Sequence, residues 1–507
     1  MQSQLKAFLR ITSYKCDIIR TLTVTSDIKS DEILKSWRDV PGPKSLPIIG
    51  QLHHFLPGGE LRSFEEPDVV QRLYDKYGPI VRFDGMFGMG SMIVVSDPEI
   101  TAYILRSENF SPNRPGFVSL EYYRKDYKKS KGYAVGITGL MTDHGDKWKE
   151  LRSSVNPVML QPNTIKLYCT VLDGVAQDMI KRMKTVRDEK YMIQNKFDSE
   201  MNLWALESIA TVALGCRLNC LDSTLPDDSP EKQLIQCVHE LFNTATQLDF
   251  KPSIWRYVST PLFKRAMKLY EQHENLTKHF LKKGMKQLTL NTDQKASHEK
   301  GVLEKLLEIN EEYAYIMASD MLFAGIDTAA NTMTAVLYLL AVNQDKQNKL
   351  REEIVSKSDR KPYLKACIKE GLRLMPIISG NFRRSTKQYN IMGYRIPKDM
   401  NLVFSNSQMS LMEHHYPRAR EYIPERWTAE KNDPLYYGKA HPFAYVPFGF
   451  GTRSCIGRRI AELEIETFLS RVIENFKVEW LGPPPKLEHS SVLHVKSPFY
   501  FTFKDIK

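Results

Sequence analysis

The stretch EEYAYIMASDMLFAGIDTAANTMTAVLYLLAVN, residues 311 to 343, constrains the fold more than any other. Its helical pattern runs for about 30 residues, a rod of roughly 45 Å at the rise of an α-helix. The rod is apolar on most faces rather than along one stripe, which predicts burial through the centre of a large domain. A membrane span would have the same length and composition. Asp320, Asp327 and Asn331 weigh against it, because an acid at a bilayer centre costs about 2.5 kcal/mol or more. A chain of 507 residues, 42% of them hydrophobic, can enclose such a rod in a single domain.

The flanking patterns agree with a mainly α fold carrying small peripheral β-sheets. Helical periodicity dominates from about residue 97 to 373, with one polar break at LNTDQKASHEKG. Alternation in PIVRFDG and SMIVVS predicts a short hairpin, NIMGYRIPKDMNLVFSNS returns to strand-like patterning, and HVKSPFYFTFK reads as a final strand pair. VPGPKSLPIIG, residues 40 to 50, resists both helix and sheet interior and marks the start of the folded part. Before it, residues 1 to 26 carry Lys6, Arg10, Lys15 and Arg20 against one acid, Asp17, among many Ser and Thr. That composition resembles an amphipathic mitochondrial presequence, and it holds no apolar run long enough for a membrane span. The expected division is a presequence-like tail and linker over 1–35 and one catalytic domain over 36–507.

The formal net charge of +11 favours acidic partners. No dense Lys/Arg run with interleaved aromatics accompanies it, so nucleic acid is not expected. The cysteines number seven, too few and too scattered for a disulfide framework. Cys216 and Cys220 form the one close pair, with no zinc-finger spacing after them, and read as buried thiols.

The seventh cysteine is different. FGFGTRSCIGRRIAELE places Cys455 among glycines and arginines at the start of a helical pattern. Backbone N–H groups and a helix N-terminus lower a thiol pKa, which suits a metal-binding thiolate. Gly449, Gly451 and Gly457 permit close approach of backbone to a flat macrocycle and unusual φ values. Arg453 can donate to a carboxylate. The pattern F-x-x-G-x-R-x-C-x-G, filled by Phe448, Gly451, Arg453, Cys455 and Gly457, arises by chance about once in ten thousand chains of this length.

With this motif the chain resembles the cytochromes P450, haem-thiolate monooxygenases, over nearly everything after residue 36. The resemblance implies haem b as cofactor with Cys455 as the iron ligand, and a thiolate that pushes electron density onto the metal. It implies the P450 fold, with 311–343 as its long oxygen-binding helix. Further motifs follow in the family's order. AGIDTA, Ala324 to Ala329, implies an oxygen groove in that helix, with Thr328 and Asp327 handling protons and Gly325 leaving room for dioxygen. The Thr328 hydroxyl is placed to bond the Ala324 carbonyl. KACIKEGLRLMP carries E-x-x-R at Glu370 and Arg373, which Arg426 of PERW completes as a structural triad. Gly371 replaces the bulkier residue usual there and is expected to weaken the helix by up to about 1 kcal/mol. WKELR matches W-x-x-x-R, implying that Trp148 and Arg152 face a haem propionate, with Arg383, or its neighbour Arg384, and Arg453 as further propionate arginines.

K-A-x-x-K-E-x-L-R and C-x-G-R-R-x-A-E resemble the mitochondrial branch of the family, and residues 138 to 168 its arthropod members. That branch takes electrons from a [2Fe–2S] ferredoxin and its NADPH-dependent reductase. Lys365, Lys369, Arg458 and Arg459 are the expected docking cations for the acidic ferredoxin. The expected location is the mitochondrion, on the matrix side of the inner membrane. The expected reaction is hydroxylation of a lipophilic small molecule, a steroid-like hormone precursor or a xenobiotic, with O2. Substrate contacts are expected from Phe323, Ala324, Ile378 and Ser379. DFKPSIWRYVSTPLF, residues 249 to 263, either dips into a membrane interface, giving peripheral association, or packs as core. Two other functions remain open at the level of sequence: a haem-thiolate isomerase or dehydratase needing no external electrons, and a non-enzymatic haem sensor or carrier.

Overall fold

A computed structural model of the chain describes residues 34–506, apart from 48, 63–65, 67, 86–89, 109–110, 194–195, 291–295, 297, 357, 359 and 490–491. The presequence-like tail thus lies outside the described residues except for its last two, and the second of these, Lys35, already belongs to a strand.

The apolar rod is a helix, Glu311–Val342, and everything else is arranged around it. Asn310 caps it, its side chain accepting from the Glu312 amide at 2.7 Å. The principal helices are α1 (Gly145–Met159), α2 (Cys169–Val186), α3 (Phe197–Ala213), α4 (Pro230–Ala245), α5 (Pro261–Leu290), α6 (the rod), α7 (Pro362–Leu374) and α8 (Arg458–Asn475). Helices α3, α4, α5, α7 and α8 all pack directly on α6, and α3 makes the most extensive contact. Length and hydropathy alone would let α6 cross a membrane, but most of it is buried inside the domain. Its acids explain how: Asp320 is pinned by the buried Arg124 guanidinium at 2.7 Å and by the Leu140 amide at 3.0 Å.

Two glycines set how closely these helices approach. A Cβ on Gly325 of α6 would stand 2.6 Å from Ile209 Cγ1 on α3. Its missing side chain therefore makes room for α3, not for dioxygen as the motif suggested. A Cβ on Gly371 of α7 would stand 2.7 Å from Val336 Cγ2 on α6. Helix α7 is continuous through Gly371, so the residue that looked like a weak point is the contact that lets α7 lie against α6.

The strands are β1 (Lys35–Ser36), β2 (Ile80–Phe83), β3 (Met92–Val95), β4 (Asn381–Arg384), β5 (Tyr389–Ile391), β6 (Tyr394–Ile396), β7 (Asn401–Phe404), β8 (Phe476–Trp480), β9 (Lys486–His489), β10 (Leu493–Lys496) and β11 (Phe501–Asp505). Among the described residues they form four small sheets, in the orders β1-β6-β5, β2-β3-β7-β4, β9-β10 and β8-β11. The β2–β3 hairpin is where the alternation put it. The last two strands do not pair with each other. β10 pairs β9, and its Val495 amide reaches Asn331 Oδ1 on α6 at 3.2 Å. β11 pairs β8 and buries Phe501 and Phe503 against Phe197. Each strand has a better apolar surface to cover than the other's edge.

Gly371→Ala tests the α6–α7 contact. Alanine gains up to about 1 kcal/mol of helix propensity, whereas overpacking against a stiff β-branched side chain costs about 1–3 kcal/mol. The urea midpoint of the variant is expected to fall, and Val336→Ala in the same chain is expected to restore it.

Candidate functional site: a thiolate loop under buried arginines

The loop carrying Cys455 folds back on itself. The Cys455 amide donates to the Phe448 carbonyl at 2.8 Å, and the turn between them needs left-handed backbone at Gly449 (φ 72°) and Gly451 (φ 71°). Gly457 has an ordinary φ of −84° and is the N-cap of α8. Its contribution is electrostatic: its amide lowers the Cys455 pKa, as do Arg152, Arg114 and Arg458. Burial is nevertheless the largest influence and leaves the thiol above its ordinary value. The helix terminus alone, contrary to the sequence argument, does not ionise this sulfur. A bound cation at the sulfur would, since metal binding displaces the thiol proton. Cys455 lies deep in the protein yet is exposed, so its side chain opens onto an internal space.

Arginines gather beside that space. Arg152, on α1, donates to the Ser454 carbonyl at 2.9 Å. Arg453 lies over the Trp148 ring, 3.7 Å from its centroid, and its N–H groups reach the carbonyls of Pro112, Leu140 and Asp143 at 2.9–3.1 Å. Arg383 of β4 is 2% exposed and faces Glu108 at 2.7 Å. Arg384 points outward, so of the two candidates Arg383 is the one at the site. Arg114 completes the group and was not singled out from sequence, where nothing marks it. Burial and mutual repulsion pull Arg453 down to about 8, and burial pulls Arg152 down to about 10. Arg114 is lowered for the same reasons.

Cations outnumber anions in this cluster. Glu108 faces Arg383, the Asp320 carboxylate already pairs with Arg124, and the Trp148 Nε1 and Arg152 Nε donors are buried with no acceptor. A macrocycle bearing two carboxylates on one edge and a cation at its centre fits the set. The carboxylates would take Trp148, Arg152, Arg114 and the neighbouring arginines, and the metal would take Cys455.

Glu370, Arg373 and Arg426 are brought together and are all 0% exposed. Glu370 accepts both Arg373 donors at 2.8 and 2.9 Å, Arg426 Nε at 3.1 Å and Trp427 Nε1 at 3.0 Å. The remaining Arg373 donors tie the carbonyls of Ser410, Ala419 and Glu421. The triad thereby fixes the segment that precedes the Cys455 loop, without touching the sulfur.

On α6, the Thr328 hydroxyl donates to the Ala324 carbonyl at 2.7 Å. Ala324 is exposed although Phe323 and Ile326 beside it are buried, so this part of the helix also opens inward. Asp327 is 1% exposed and neither carboxylate oxygen receives a hydrogen bond. Its nearest charged neighbour is His239 on α4, at 3.6 Å. Phe323 is 1% exposed and packed among Phe242, Phe117 and His273. It stiffens the wall, while Ala324, Ile378 at 38% and Ser379 present surface.

A family model for cytochrome P450 matches residues 40–503. The chain belongs to the cytochrome P450 family. Among its relatives, cytochrome P450 CYP12A2 of Musca domestica is 35% identical over 93% of this chain and 92% of that protein. Probable cytochrome P450 12b2, mitochondrial, of Drosophila melanogaster is also 35% identical, over 90% and 87%. A solved structure titled retinoic acid bound cyanobacterial CYP120A1 superposes with a TM-score of 0.70 at 19% identity, covering 94% of this chain and all of that one, and shares the fold. This P450 is a haem-thiolate monooxygenase with haem b as its cofactor. The exposed thiol and the anion-poor arginine cluster fit that group.

Arg114→Gln tests the residue that sequence reasoning missed. A charge-assisted hydrogen bond is worth about 1.5 kcal/mol or more. Haem transfer from the variant to an apoprotein acceptor is therefore expected to run roughly tenfold faster than from the wild type, with the folded secondary structure unchanged by circular dichroism.

Proposed function

We propose that this P450 hydroxylates a lipophilic small molecule, with O2 and with electrons supplied singly by a [2Fe–2S] ferredoxin in the mitochondrial matrix. The observation that carries the electron donor is an exposed cationic face on α7 and α8, two helices that pack together just behind the Cys455 loop. Lys365, Lys369, Arg458 and Arg459 are all exposed there. Lys369 lies over the Trp427 ring at 5.5 Å and Arg458 over Phe448 at 5.4 Å, so both heads are held out over apolar ground. Glu466 and Glu462 moderate the patch through Lys365 and Arg458, and Arg459 has no ion pair among the described residues. An acidic ferredoxin suits this face, and it would dock beside the thiolate loop. Mitochondrial location rests on relatives named as mitochondrial and on the basic, acid-poor tail.

Haem, when bound, supplies oxygen activation, with the thiolate as electron donor to the metal. The chain supplies the surroundings. Trp148, Arg152, Arg114, Arg383 and Arg453 anchor the carboxylates, and the Thr328 hydroxyl and Asp327 carboxylate hold and pass protons on the α6 side. An aromatic cluster of Phe117, Phe242, Phe250, Phe323 and Phe382 backs the pocket and suits a lipophilic substrate.

Segment 249–263 divides between packed core and exposed apolar surface. Trp255 and Phe263 stack at 5.3 Å and are buried, whereas Ile254, Tyr257 and Val258 are exposed, at 45%, 71% and 56%. The exposed tip of Ile254, Tyr257 and Val258 is suited to insertion into a membrane interface for peripheral association with the inner membrane.

Reconstitution with a mitochondrial ferredoxin, its reductase and NADPH tests the reading. Substrate oxidation and O2 consumption are expected to require all three. The pair Lys365→Glu and Lys369→Glu is expected to raise the ferredoxin KM about tenfold or more at low salt, an effect that shrinks as ionic strength rises. Product formation without electrons would instead indicate an isomerase or dehydratase.

A further inference from the structure

The geometry points to a divalent-cation site of the zinc class formed by His239, Asp327 and His494. The three residues come from different elements, α4, α6 and β10. One ligand atom from each lies within 4.8 Å of the other two, and this is the grouping of that kind among the described residues. His239 Nδ1 is 3.6 Å from Asp327 Oδ2, and the two imidazole rings meet edge to face with centroids 5.7 Å apart.

Two observations beyond proximity favour a cation here. The Asp327 carboxylate is 1% exposed, no hydrogen bond reaches either oxygen, and its ion-pair neighbour His239 stands off at 3.6 Å. A buried carboxylate held that loosely has room for a closer positive partner. The frame is also held in place: Asn331 Nδ2 bonds the Asp327 carbonyl at 2.8 Å, and Asn331 Oδ1 accepts from the Val495 amide at 3.2 Å. One side chain thus ties α6 to the strand that carries His494. Ligand bonds of about 2.0–2.2 Å separate tetrahedral donors by about 3.4 Å, so the His239–Asp327 distance is already near that value and no pair must close by more than about 1.4 Å. Two imidazoles and one carboxylate are a donor set for zinc, with a position left for water. His494 is buried, but the His239 side chain is 41% exposed, which gives an ion a route in from solvent. Lys496 and Asp198 are the other charged groups that act on His239, with opposite signs.

The consequence rests on the proton-handling role given to Asp327 above. A cation on its carboxylate would hold that group away from proton traffic next to Thr328 and slow turnover reversibly.

The test uses the full haem-loaded protein and zinc chloride. In equilibrium dialysis the wild type is expected to bind one equivalent of zinc with micromolar or tighter affinity. His239→Ala and Asp327→Asn are each expected to weaken that binding at least tenfold, while His279→Ala, an exposed control, leaves it unchanged. Ferredoxin-supported turnover, scored as the ratio with and without zinc for each protein, is expected to drop severalfold in the wild type and to stay near one in His239→Ala. Zinc binding that His239→Ala leaves intact, or no bound equivalent in the wild type, overturns the site and leaves the His239 ion pair as the partner of Asp327. Binding that depends on His239 but does not slow turnover upholds the site and overturns the proton role of Asp327.

Discussion

Guanidinium groups crowded against one another around the Cys455 loop are the condition on which the rest of this structure depends. Beyond burial, Arg114, Arg383 and Arg152 all press the Arg453 pKa down, Arg152 and Arg114 act on Cys455, and Glu108 faces Arg383. Arg453 relieves part of its charge on the carbonyls of Pro112, Leu140 and Asp143 and on the Trp148 ring. Those contacts reach two separate stretches of chain, at Pro112 and at residues 140–148, so the arginine also fastens the loop to the body of the domain. What remains unmatched is positive charge and the buried Trp148 and Arg152 donors. The residues fit a dianionic, flat, metal-bearing group, which would supply partners for those polar atoms.

The same economy of partners holds the scaffold. Glu370 serves two arginines, an indole and the Ile423 amide at once, all in a fully buried setting. A buried carboxylate with so many charge-assisted bonds is a rigid node, and removing it would strand two guanidiniums. On the other side of the pocket, α6 carries polar residues through an apolar core by giving each a task. Asp320 pairs with Arg124, Thr328 turns back on its own helix, and Asn331 links to β10. Asp327 alone among these has no hydrogen bond to its carboxylate oxygens, and its ion-pair neighbour His239 lies 3.6 Å away.

Much of this was legible in the sequence because it depends on local spacing. The rod announces itself by apolar periodicity, the Thr328 hydroxyl bond is an i to i−4 relation, and Glu370 and Arg373 share one face of a single helix. The glycines were legible only where φ decides, at Gly449 and Gly451. At Gly325 and Gly371 the reason is Ile209 and Val336 on other helices, and no local pattern carries that information. Arg114 and the pairing of His239 and His494 around Asp327 are hidden for the same cause: tertiary contacts join residues whose neighbours in sequence give no sign. The Cys455 pKa shows the converse error. The helix N-terminus and the nearby amide act as expected, but desolvation, which only the fold sets, outweighs them.

Sulfur ligation of the iron is the claim on which all of these assignments converge. Reducing the purified protein under carbon monoxide and recording the difference spectrum tests it most directly. The wild type is expected to give the red-shifted Soret band characteristic of a thiolate opposite carbon monoxide, and Cys455→His is expected to bind haem without that band. A wild type that holds haem but shows no such band, or a variant that keeps it, would contradict the account.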